Sequence, residues 1–328
     1  MRLLPVLACL IACAEWRMQP TFPAAAAGLP VIHEQALLGL STDGGAAVAQ
    51  LVDADGQPPE LALLAFDRAG GPSRTLLTAP EDVAAAISRR VREQGRKPWP
   101  VLAAAVVLNW PAAPRHAREQ GYVPRAAART GADQQTFPVQ GAAAAGALPL
   151  ALRVDVRGEE LALLLGDGGS DEVELARMNV PGTPLAHALW IEAGVVWLLG
   201  GSVQPGEPLH RAAGLRRALL ARGEAQLHRL HGREDRAASD LDAARREFAR
   251  AIACDPAYVD GLYDAAAAAA AGGDSDEAVA LLRRAAAVDP GRVQVLGRDD
   301  VNLRALRQRA DVRTLLGLRR LPPDDEPR

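Results

Sequence analysis

The chain has 328 residues, of which 49 % are hydrophobic and 23 % charged, enough for two domains with cores of their own. A formal charge of −3 gives no electrostatic footprint for nucleic acid or for an anionic membrane surface, so no nucleic-acid partner is expected. Cys9, Cys13 and Cys254 are the only cysteines, too few for a disulfide framework or for a zinc site built from thiols.

Met1-Arg2 opens the chain with positive charge, and residues 3–14 form an apolar run broken only by Pro5. A bilayer span needs about 20 residues, so this run reads as the core of a signal peptide over residues 1–13. Leu10-Ile11-Ala12-Cys13 resembles the bacterial lipobox, which implies lipid on Cys13 as the new N-terminus. Ala14 after the cysteine implies an outer-membrane lipoprotein facing the periplasm or the surface. Ala12-Cys13-Ala14 also fits plain secretory cleavage, which would give a soluble periplasmic or secreted protein. Residues 14–33, with prolines and four successive alanines, read as a tether.

From residue 34 to 205 the pattern is β-rich. Residues 36–40 and 46–52 flank the turn Asp43-Gly44-Gly45, and a further apolar run over 61–66 follows Asp55-Gly56. Residues 150–156 and 161–165 flank Arg157-Gly158, and 188–191 and 195–199 flank Ala193-Gly194. The turn at Ser41-Thr42-Asp43-Gly44 resembles those of β-propellers, but the strands are too few for four or more blades. A small antiparallel sheet or sandwich is expected. Between the hairpins, Pro80-Glu81 begins a helical insert running to Glu93, and Asn109 with Pro111 begins a second helix stopped by Gly121. Residues 125–146 lack a steady period and read as a loop.

The last third, residues 210–318, is periodic. A helix is expected over 212–221. Asp255-Pro256 then recurs as Asp289-Pro290, thirty-four residues on, and Ala244, Phe248 and Ala251 recur at that interval as Ala278, Leu282 and Ala285. These positions share one helix face, with small residues where helices meet and Phe248 or Leu282 filling between them. The segment resembles tetratricopeptide repeats, a family of stacked helix pairs that binds peptides in a groove. On that resemblance the array has two repeats, followed by a solvating cap with Leu303, Leu306, Val312 and Leu315 buried. The tail 319–328, which is proline-rich and acidic from Leu321 on, is expected to be disordered.

The expected architecture is therefore α+β: an antiparallel β-rich domain with a helical insert, followed by a helical-hairpin array. The tetratricopeptide resemblance implies a non-catalytic protein or peptide binder, with Gln226, Arg229, Arg233 and Tyr263 lining the groove and no cofactor. Arg229, Arg233 and Arg236 form a stripe suited to an acidic segment, unless Asp260 and Asp264 neutralise it. Two rivals stand beside this reading. Glu224, His228 and His231 share a helix face, which would suit a metal-dependent hydrolase. Trp99, Trp110, Trp190 or Trp197 lining a pocket would suit a glycan- or small-ligand-binding β domain. Asp53, Asp55, Gly56 and Glu60, and Asp167, Asp171 and Glu172, are fragments of a calcium-loop pattern and read better as polar turns.

Overall fold

The computed structural model describes residues 30–68, 73–94, 101–126, 128–130, 136–139, 150–180, 186–204 and 210–318. Cys9, Cys13, Trp99 and the tail 319–328 lie outside the described residues. The architecture is mixed α+β, with a helical C-terminal part. Two compact units divide the chain. The first comprises residues 1–136, 153–164 and 176–219, the second 137–152, 165–175 and 220–328.

The first unit is built on a sheet of eight strands. Strands β1 (Pro30–Leu40), β2 (Ala46–Ala54), β3 (Glu60–Phe66) and β4 (Arg74–Thr78) form an antiparallel meander. Helices α1 (Glu81–Glu93), α2 (Val101–Asn109) and α3 (Ala112–Glu119) follow, then the short strands β5 (Ala128–Thr130) and β6 (Thr136–Pro138). Strands β7 (Ala151–Arg157), β8 (Glu160–Gly166) and β9 (Glu172–Asn179) join β6 in a four-stranded sheet of order β6-β7-β8-β9. Strands β10 (Ala186–Glu192), β11 (Val195–Gln204) and β12 (His210–Leu219) complete the larger sheet, whose order is β4-β3-β2-β1-β12-β11-β10-β5.

The expected hairpins form around the expected turns. At the first, a Cβ on Gly44 (φ +90°) would lie 2.4 Å from Val195 Cγ2, and the Trp197 indole donates a 3.1 Å hydrogen bond to the Gly44 carbonyl. Only glycine tolerates that backbone and that contact. Alternation along β2 sends Ala47, Ala49 and Leu51 to a core with Ile87, Val91, Leu102, Val106 and Trp110 of the helical insert. Ala46 and Val48 enter a second core with Phe66, Trp190 and Trp197. Asp53 ties α1 to the sheet by accepting from Ser88 and from both Nε and Nη2 of Arg92, at 2.9 and 2.7 Å.

Three expectations are corrected, and one further helix was not foreseen. Residues 30–33, placed in the tether, belong to β1, and β5 and β6 lie in the stretch read as loop. Residues 101–109 form a helix although they are apolar on all sides and show no helical period. Residues 210–219, placed in the helical domain with a helix over 212–221, are strand β12, paired parallel to β1 with Ile32 opposite Arg211. Alanine, leucine and arginine favour a helix there, but tertiary pairing overrides that weak preference. The buried Arg211–Glu34 ion pair spans the two strands.

The second unit carries helices α4 (Leu220–Ala237), α5 (Leu241–Cys254), α6 (Val259–Ala271), α7 (Ser275–Val288), α8 (Pro290–Gly297) and α9 (Ala310–Leu315). Two 3₁₀ turns, Val301–Leu303 and Leu306–Gln308, precede α9. The 34-residue interval marks equivalent structural positions. Asp240 and Asp274 cap α5 and α7, their carboxylates accepting from Ala243 N at 2.9 Å and Glu277 N at 3.1 Å. Ala244, Phe248 and Ala251 are buried, as are Ala278, Leu282 and Ala285. A Cβ on Gly232 of α4 would lie 2.8 Å from the Phe248 ring, so the small residue there lets α4 and α5 approach. Leu303, Leu306, Val312 and Leu316 close the core at its C-terminal end, with Leu315 partly buried.

Candidate functional site

The candidate residues of the second unit lie on α4, the first helix of the first pair, and on α6, the first of the next. One member of the predicted arginine stripe, Arg229, is engaged within the chain. Arg229 Nε donates to Asp264 Oδ2 at 2.6 Å, its Nη1 lies 3.3 Å from Asp260, and its guanidinium sits 5.8 Å from the Tyr258 ring centre. Burial would lower the Arg229 pKa, but Asp264, Tyr258 and Asp260 outweigh it and raise the value. Asp260 also accepts a bidentate pair of 2.8 Å bonds from Arg292 on α8. Arg222 pairs with Asp255 and lies 4.9 Å from the Tyr258 ring centre on the other side of this network. The intramolecular alternative for the stripe therefore describes Arg229.

Arg233 differs. Its side chain is 61 % exposed, with Asp264 only at 3.8 Å, whereas that of Arg229 is 19 % exposed. Gln226 and Arg236 are half-buried.

Tyr263 is not the outward aromatic that the sequence suggested. It is 3 % exposed, and its hydroxyl donates to Asp300 at 2.8 Å and approaches the Leu296 carbonyl at 3.2 Å. Burial, then the hydrogen bond to Asp300, pushes its pKa up. The turn after α8 lies against the α6 position that the resemblance had assigned to a groove. Sequence reasoning missed this because a cap that folds back on its own array leaves no local signal beyond its apolar spacing.

Among the described residues, three groups bring metal-capable donor atoms within 4.8 Å of one another. They are Glu224 with His228 and Cys254, His228 with His231 and Glu247, and Asp167 with Asp171 and His231. The predicted trio of Glu224, His228 and His231 is thus divided. His231 Nε2 turns to the β8–β9 turn, 3.2 Å from each of Asp167 and Asp171, which gives that acidic turn a packing role. Glu224 and His228 instead meet Cys254 at the end of α5, a ligand that the one-helix spacing did not reveal. Burial, then the charge and hydrogen bond of Glu224, pushes the Cys254 thiol up to about 12.

The carboxylate of the other acidic fragment is engaged within the first unit. Asp53 serves Ser88 and Arg92, and Gly56 (φ +77°) shapes the β2–β3 turn. Trp110, Trp190 and Trp197 are buried and serve as core filling, while Trp99 lies outside the described residues. No helix among the described residues is long and apolar enough to cross a membrane. No family model matches the chain, and no curated protein matches it significantly.

Proposed function

We propose that the chain is a non-catalytic, protein-binding scaffold of a bacterial cell envelope. It is anchored through a lipidated Cys13 and engages a protein or peptide partner through tetratricopeptide-like helices. The observation that carries this reading is the return, at a 34-residue interval, of the same aspartate caps, the same buried alanines and a large apolar filler, Phe248 then Leu282. Helix pairs of this kind offer the faces of their first helices to a partner.

Of the three stripe arginines on α4, Arg233 is the exposed one, and an acidic segment is the chemistry that suits it. Arg229 and Tyr263 serve the same surface indirectly, by fixing α4 and the terminal cap against α6. Cross-linking in envelope fractions tests the proposal. Arg233→Glu is expected to lose the partners while melting as the unmodified chain does, because exposed charge changes cost little stability. Recovery of the same partners would move the binding role to the β-rich unit. Mass spectrometry of the native N-terminus reads the anchor: a lipid mass on Cys13 supports it, and a mature chain beginning at Glu15 replaces it with plain secretion.

A further inference from the structure

Glu224 and His228 stand one turn apart on α4 and leave the same helix face. Helix α5 returns antiparallel to it, which sets Glu247 beside His228 and Cys254 beside Glu224. Glu224 and His228 are fully buried, and Cys254 is partly so.

The orientation of His228 follows from its neighbour. Its Nδ1 lies 2.7 Å from Glu247 Oε2, and a carboxylate only accepts, so Nδ1 is the donor and, in the neutral ring, Nε2 is the nitrogen open to a ligand. That Nε2 is buried and has no hydrogen-bond partner among the described residues. The other oxygen of Glu247 is held by Arg250, which fixes the carboxylate against the ring. A carboxylate behind an imidazole, with the far nitrogen left open, is the arrangement that orients metal-binding histidines.

We propose that Glu224, His228 and Cys254 bind a divalent transition-metal ion of the zinc class, with Glu247 as the positioning residue for His228. One nitrogen, one oxygen and one sulfur donor suit such an ion, whereas calcium and magnesium take oxygen ligands. As the sulfur–metal bond forms, the thiol proton passes to solvent. The thiolate and the Glu224 carboxylate then carry two negative charges, which the ion offsets in a place where they would otherwise be costly. This inference does not rest on the proposed partner binding.

The test uses the full chain, stripped with chelator and titrated with Co²⁺. One equivalent should bind, with a sulfur-to-cobalt charge-transfer band that Zn²⁺ removes by competition. Cys254→Ser should lose the band, while Cys9→Ser and Cys13→Ser keep it. Glu247→Gln should weaken binding by about 10–100-fold, as removal of an orienting carboxylate does. Circular dichroism confirms that each variant is folded. Should Cys254→Ser not fold, alkylation of the unmodified chain reads the same contact, and Zn²⁺ but not Mg²⁺ should protect Cys254. No band from a folded chain, a band that survives Cys254→Ser, or alkylation indifferent to Zn²⁺ would each overturn the proposal.

Discussion

Ser239 and Gly273 occupy the same place in successive repeats, just past the ends of α4 and α6, at φ +68° and +84°. Around each, the chain closes in the same way. Asp240 N donates to Asp235 O and Asp274 N to Ala269 O, both at 2.9 Å, the bond that finishes a helix with a left-handed residue. Glycine takes that backbone freely, and a residue with a Cβ is strained by about 1–2 kcal/mol. Ser239→Gly should therefore stabilise the helical unit, by up to roughly 1 kcal/mol after the added freedom of the unfolded chain is set against the relief. A chemical-denaturation midpoint that moves upward supports this, and one that falls would show that the Ser239 side chain contributes more than its strain. The same pair explains what was legible at this scale. The buried alanines stood out in the sequence because they recur at a fixed interval on one helix face. Tyr263 did not, because its environment is made by Asp300, thirty-seven residues away.

At the scale of elements, the terminal cap is fixed by carboxylates. Burial would raise Asp260, but the hydrogen bonds from Arg292 and the charges of Arg229, Arg292 and Arg222 bring it below the usual value. Burial would also raise Asp300, but the Asn302 backbone and side chain, the Tyr263 hydroxyl and the charge of Arg236 bring it down. Both folded values lie below the unfolded ones, so the unfolded chain binds protons first as the solution is acidified. The stability these groups supply is complete above the ordinary carboxylate range, about pH 4, and is lost as pH falls through the lowered values. Between about pH 5 and pH 3 the melting temperature should fall less in Asp300→Asn than in the unmodified chain. Equal falls would mean that Asp300 takes no part. The two remaining surprises are also matters of elements. Nothing local in residues 210–219 announces a strand, because what decides it is parallel pairing to β1 and the ion pair from Arg211 to Glu34. Burial pushes the Glu34 carboxyl up and the arginine pulls it back, so the pair specifies a register while carrying its own desolvation cost. The Glu224–His228 face was legible from spacing within α4. Cys254 joins it only when the α4–α5 hairpin closes.

For the whole molecule, the question is whether two helix pairs can stand without the rest of the chain. Arrays of this kind rarely do so below about three repeats, because each pair buries only part of its apolar face. Here α4 starts directly after β12, with no residue between them, and the second unit also takes in residues 137–152 and 165–175. A Cβ on Gly223 would lie 2.2 Å from Leu175 and 2.8 Å from Leu165, so α4 is pressed onto strand residues belonging to that unit. Asp167 and Asp171 hold His231 from the same segment. The helical unit therefore includes a piece of chain that its 34-residue period does not mark. A fragment of residues 220–318 keeps both repeats and the terminal cap but exposes the α4 face that Leu165 and Leu175 cover. It should melt over a broader range and at a lower temperature than the full chain, and it should bind a hydrophobic dye that the full chain does not. If the fragment instead melts sharply at the temperature of the full chain without binding the dye, the repeats are self-sufficient. The contact of Gly223 with the strand residues would then be incidental to their stability.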